Sequence, residues 1–216
     1  MAPQLPDRYQ TQVRLGRDGD IDEWLATDTA LDRPVLIRVL DSDASQSRIA
    51  EFVTATRGAA QVEHVHLAGV YEVLESPAGG AYAAIEWNGG VSIADRLAAG
   101  ETLPVSEFLP NAAGLAEGLA ALHAANVTHG AIDPGAIVFS AAHPAKLSSF
   151  GRQRATRRAE DDTAALAHAL RIAVTGSASP VIRPSHLVEG LPPAVDSALH
   201  RASRGDYDAA GLGTAL

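Results

Sequence analysis

The order of apolar and polar residues divides the chain near Gly89-Gly90. Before that point the apolar runs are short and alternating or β-branched, as strands are. Residues 9–15 (YQTQVRL) alternate, Gly16, Asp18 and Gly19 mark a turn, and residues 24–29 read as the returning strand. Asp32-Arg33-Pro34 is a second turn, and the β-branched run at 35–40 (VLIRVL) predicts a strand. Residues 47–62 are Ala-rich, with Ile49, Phe52, Val53 and Thr56 at helical spacing. Two more strands are expected over 67–74 and 81–86, with a hairpin loop at 76–80.

After Gly90 the period lengthens. A short helix is expected over 93–99 and a long one over 104–125, with Leu109, Ala113, Ala116, Leu119, Ala120 and His123 near one face. Short β pieces and loops fill 127–151, and a second apolar helix over 162–174 ends at Thr175-Gly176. Residues 180–193 are loop-rich, and short helices follow over 194–202 and 209–216. Strands first and helices second predict an α+β fold with two segregated lobes.

Composition narrows the function classes. The chain has 216 residues, enough for one large domain or two small lobes. Its formal charge of −9 argues against a nucleic-acid or anionic-membrane partner, which needs a basic surface. There is no cysteine, so disulfides, thiolate metal sites and a Cys nucleophile are excluded. No apolar run reaches the ~18 residues of a membrane span. The first ten residues lack a signal-peptide layout, and a cytoplasmic location is expected. Lys146 is the only lysine, so an arginine in place of lysine follows from composition before design.

Five phrases carry the candidate chemistry: DTALDRPVLIRVL, YAAIEWNGGVSIADRL, LAALHAANVTHGAIDPGAIVF, AKLSSFG and DTAALAHALRIAVTG. In this order they resemble the third strand, the hinge, the helix with catalytic loop, the metal-binding turn and the central helix of the bilobal protein-kinase fold, in its bacterial Ser/Thr form. The resemblance implies one kinase-like domain. It would have a disordered lead over 1–7, a small β-rich N-lobe over 8–86, and a helical C-lobe over 87–216 with a shortened activation segment.

The family's working positions are found one by one, and most hold other residues. The glycine-rich phosphate loop corresponds to residues 16–21, where only Gly16 matches and Asp18, Asp20, Asp22 and Glu23 crowd negative charge. At ~4 Å and an effective dielectric of about 20, each like-charge contact costs up to about 4 kcal/mol, and the turn reads as a solvated acidic one. Arg38 stands at the third-strand lysine. Ala55 stands at the helix acid that should pair with it, and Glu51 lies one turn earlier. H-R-D-L-x-x-x-N corresponds to residues 129–136, with Ala131 at the base and Ala136 at the metal-binding amide. Asp133 reads as a turn residue before Pro134. D-F-G corresponds to Ser149-Phe150-Gly151, without the carboxylate that magnesium needs. A degenerate nucleotide cleft would lie near Gly16, Arg38, Glu86 and Asn88.

What the resemblance keeps is architectural. His129 and Phe150 are the packing members of their motifs, and Asp162 stands where a carboxylate caps the catalytic loop. A metal reading of His64 and His66 is weak, because both fall on a turn, and no G-x-S-x-G elbow supports a Ser/His/Asp triad. Arg152, Arg154, Arg157 and Arg158 surround Thr156 in the shortened segment and mark a possible regulatory site for phosphate or an acidic partner.

The vacated positions imply a pseudokinase: not an enzyme, with no cofactor and no metal, acting as a protein-binding scaffold or regulatory module. The resemblance implies a protein partner, either a phosphothreonine-binding FHA domain or an active Ser/Thr kinase. DTALDRPV also resembles the pseudokinase domain of actinobacterial lipid II flippase-like proteins. The rival expectation is a degenerate kinase-fold enzyme that still binds nucleotide and transfers phosphate weakly.

Overall fold

The structure is a computed structural model and describes residues 5–77, 79–140, 142–152 and 158–216. The chain packs into two units. One comprises the chain through Glu63, Ala68–Asn88 and the piece that starts at Phe150. The other comprises His64–Leu67, Gly89–Ser149 and the chain that ends at Leu216.

In the first unit, β1 (Tyr9–Asp18), β2 (Ile21–Asp28), β3 (Arg33–Leu40), β4 (Val70–Glu75) and β5 (Ala81–Glu86) form an antiparallel sheet in the order β1-β2-β3-β5-β4. Central β3 buries Val35, Leu36, Ile37 and Leu40, so both of its faces are covered. One face joins Tyr9, Ala26, Val35, Ile37, Tyr82 and Ala84 in a core, against which Leu5 packs; of the expected disordered lead, residues 1–4 lie outside the described residues. The helix α1 (Gln46–Ala59) starts at Ser45, whose hydroxyl accepts from the Arg48 N–H. It turns Ile49, Phe52, Val53, Thr56 and Ala59 inward at helical spacing.

The second unit carries β6 (Val91–Ser92), α2 (Ile93–Ala98), α3 (Val105–Ala124), a 3-10 turn (Pro134–Ala136), β7 (Ile137–Phe139), β8 (Lys146–Leu147), α4 (Ala159–Thr175), α5 (Pro184–Leu187), α6 (Pro193–Ser203) and α7 (Ala209–Ala215). The three short strands pair in the order β6-β7-β8. Gly176 ends α4 at φ 68, a left-handed cap that glycine adopts without strain.

The inner face of α3 differs from the expected one. Phe108, Ala112, Leu115, Ala116, Leu119 and Leu122 are buried, while Leu109, Ala113, Ala120 and His123 are only half-buried. The face is turned toward Gly114 and Gly118, which are buried as well. An ideal Cβ on Gly114 would lie 2.0 Å from His66 Nε2, so the missing side chain makes the slot for the His66 ring. Counting large apolar residues along the chain gives glycine no weight, although glycine admits the closest neighbours.

Candidate functional site

In the first unit, the chemistry gathers around Arg38. This residue is fully buried in the central strand, where an unpaired charge would be very costly. Its Nε donates to Glu23 Oε1 at 2.9 Å, and the two residues face each other directly across β2 and β3. Its Nη1 donates to the Phe150 carbonyl, and its Nη2 lies 3.9 Å from Asp18 Oδ2. Burial pulls the Arg38 pKa below the usual value; Glu23 opposes that, Arg152 adds to it, and Asp18 opposes it. On α1, Arg48 donates to Asp20 at 2.9 Å and to the Gly151 carbonyl at 3.0 Å. Arg152 Nε lies 2.5 Å from Asp18 Oδ2.

The acidic turn is therefore not simply solvated, as the sequence had suggested. Asp18, Asp20, Asp22 and Glu23 are each paired with arginines brought in from β1, β3, α1 and the piece after Phe150. Charge counted along the sequence misses cations that arrive through folding. Gly16 lies at a bulge in β1 and an added Cβ would meet nothing within 4 Å, whereas Gly19 takes the turn at φ 62. The acid for Arg38 is Glu23; Ala55 brings none, and Glu51 is exposed. Sequence reasoning missed Glu23 and Arg48. The hairpin held a signal for Glu23: stepping back equally from the Asp28↔Arg33 pair arrives at Glu23↔Arg38. At the end of β5, Glu86 accepts from Gly69 N–H at 3.0 Å and returns a backbone bond at 2.7 Å, and Asn88 is half-buried two residues on.

In the second unit, Asp162 organises a loop. It is buried in the first turn of α4, with Oδ2 accepting from the His129 N–H at 2.7 Å and Oδ1 from the Gly130 N–H at 2.7 Å. His123 Nε2 lies 3.2 Å from the same carboxylate. The buried His129 ring donates through Nε2 to the Ser148 carbonyl at 2.7 Å, and the Ser148 N–H donates to the Ala136 carbonyl at 2.8 Å. Asp133 accepts from Gly135 and Ala136 N–H at 2.8 and 3.0 Å, so its carboxylate shapes the turn. Ala131 is half-buried, Ala136 is buried, and Ser149 is buried in the left-handed region at φ 64, where few non-glycine residues occur.

The other sequence candidates separate. His66 donates through Nδ1 to the Ala145 carbonyl at 2.8 Å, and its own N–H donates to His64 Nδ1 at 3.2 Å. Arg158 is exposed, and its N–H donates to Asp161 at the start of α4. Thr156, Arg154 and Arg157 lie outside the described residues. The described residues contain no group of three or more His, Cys, Asp or Glu that could hold a metal ion. Ser149 and Ala136 supply neither carboxylate nor amide, so these residues do not fit a magnesium site of the family's kind. No described helix is long and apolar enough to cross a membrane.

Comparison with known proteins places this geometry. The family described as protein tyrosine and serine/threonine kinase matches residues 10–177. PknA of Corynebacterium glutamicum, a serine/threonine-protein kinase, is 32% identical over 155 residues, covering 68% of this chain and 33% of its own length. PknB of Mycobacterium tuberculosis, also a serine/threonine-protein kinase, is 29% identical over 156 residues, covering 70% of this chain and 25% of its own. The chain thus spans about a quarter to a third of the curated relatives it matches. Among solved structures, the Mycobacterium tuberculosis PknI kinase domain aligns at TM-score 0.81 with 20% identity, covering 100% of this chain and 98% of that one. The apo form of PpkA-294 aligns at TM-score 0.81 with 16% identity. The fold is kinase-like, with a β-sheet N-lobe and a helical C-lobe.

These comparisons correct one expectation. The reading of the chain as a non-enzyme is overturned, because its relatives are named serine/threonine-protein kinases. That reading equated lost side chains with lost chemistry. Phosphoryl transfer rests mainly on positioning and electrostatics, which Ala55, Ala131, Ala136 and Ser149 do not decide alone.

Proposed function

Because the chain belongs to the protein tyrosine and serine/threonine kinase family, we propose that it is an atypical kinase-fold enzyme of phosphorylation-dependent signalling, which binds nucleotide and a protein partner and transfers phosphate weakly. The observation that carries this reading is the Asp162 clamp on His129 and Gly130, which keeps the loop's backbone in order while Ala131 and Ala136 vacate its side chains. No step is routed through magnesium, since the residues do not fit that metal. What this chain's own residues supply is position: Asp162 and His129 hold the loop, and Glu86 fixes the end of β5.

The partner is a protein of the same circuit, on the cytoplasmic side. The arginines around Thr156 favour an active Ser/Thr kinase acting there and an FHA-type domain reading the product. Kinship with the kinase-like domain of lipid II flippase-like proteins belongs to this proposal; DTALDRPV and the actinobacterial relatives motivate it.

Thermal unfolding with ATP, with and without Mg²⁺ or Mn²⁺, tests the nucleotide part. At tenfold excess over Kd, binding adds about 1.4 kcal/mol, a rise of about 3 to 6 °C for a chain of this size. A rise without metal, together with slow transfer of labelled phosphate, is expected. A flat melting curve at millimolar ATP with no labelled product refutes it.

A further inference from the structure

Two of the ion pairs at the acidic turn together rearrange which element holds which charge. Arg38 is fully buried and Glu23 half-buried, and they are direct cross-strand partners at 2.9 Å. The helix offers Arg38 no acid: Ala55 has none to give, and Glu51 is exposed. What α1 does offer is a cation. Arg48, nine-tenths buried, reaches Asp20 with two nitrogens at 2.9 and 3.3 Å and the Gly151 carbonyl with one of them at 3.0 Å. The acids thus come from β2 and the turn before it, and the helix is held by its own arginine.

We propose that Glu23 is the positioning acid for Arg38 in this chain, and that α1 is held separately, through Arg48 to Asp20. Strand-to-strand pairing gives Arg38 an acid that does not depend on where α1 stands. Helix position is read instead at the β1–β2 turn, so a ligand that draws Asp20 away loosens α1 and leaves the Glu23–Arg38 pair in place. The inference rests on the kinase-family reading for its meaning, but its test uses no nucleotide.

Two local measurements on the full chain decide it. The first is hydrogen exchange of the Arg38 Nε–H by NMR. Loss of a hydrogen bond to a charged group speeds exchange by about ten- to a hundredfold, which is expected for Glu23→Leu; Glu23→Gln keeps an acceptor oxygen and speeds it less. Glu23→Asp restores most of the protection, and Glu51→Gln leaves it unchanged. The second is backbone exchange in α1. Asp20→Asn speeds it, and Glu23→Gln does not. If Glu23→Leu fails to fold, Glu23→Leu with Arg38→Met removes the buried charge together with its partner and is expected to recover folding. Protection that survives Glu23→Leu, falls with Glu51→Gln, or an α1 indifferent to Asp20→Asn overturns the proposal, as does a double variant that stays unfolded. An ATP titration that fails while these results hold rejects the proposed function and leaves this inference standing.

Discussion

Replacing Asp162 with alanine removes the acceptor for two buried backbone N–H groups, those of His129 and Gly130, each now bonded at 2.7 Å. The carboxylate is about 1% exposed, so water does not take its place without opening the loop. Each buried donor left without an acceptor costs about 1 to 3 kcal/mol, or about 2 to 6 kcal/mol for the two. At about 2 to 4 °C per kcal/mol for a chain of this size, the midpoint falls by about 4 to 24 °C. Asp162→Asn keeps one acceptor oxygen but turns an amide N–H₂ toward the other donor, so it falls between the two. His123→Ala removes a longer, part-buried contact of 3.2 Å and costs least. The assay is thermal unfolding followed by circular dichroism, with amide exchange at residues 129 and 130 as the local readout. An Asp162→Ala protein that melts with the wild type, or that keeps those two amides protected, would refute the loop-clamp account.

Gly114→Ala tests the slot under His66. In an open helix this change stabilises by up to about 1 kcal/mol. Here the new Cβ meets His66 Nε2 at 2.0 Å, and the expected effect reverses to a loss of about 1 to 3 kcal/mol, relieved by His66→Ala in the same chain. His64 predicts an acid sensitivity. Burial holds its pKa below the ordinary value, with His66 and Lys146 adding to this and Glu117 opposing. The unfolded chain then binds the proton first, so this contribution is complete above about pH 6.5 and is lost as pH falls through the lower folded value. His64→Gln should flatten urea stability across that window, and an unchanged slope would count against it.

Local pattern made most elements legible. The runs at 35–40 and 81–86, and the helices ending at Ala124 and Thr175, follow periods that neighbours in sequence create. His129 and Asp162, both named from motifs in the sequence, meet through a backbone-to-carboxylate hydrogen bond. What stayed hidden was non-local. Arg38 finds Glu23 only once two strands are in register, and Arg48 finds Asp20 only once α1 packs on the sheet. The face of α3 was misjudged for the same reason: Gly114 matters through a ring that arrives from residue 66. Whether the chain is an enzyme was misjudged differently, since absent side chains were allowed to outweigh relatives of the whole fold.

The interleaving of the two units has a consequence for how such a chain can be inherited or engineered. A cut after Asn88 does not separate them, because the carbonyls that receive Arg38 and Arg48 belong to Phe150 and Gly151, far down the chain. The segment at His64–Leu67, between α1 and β4, belongs by its packing to the other unit. A chimaera that swaps one half for that of a relative therefore loses partners in both halves at once. The units are expected to recombine only as a whole, and split-protein fragments divided there to need each other in order to fold.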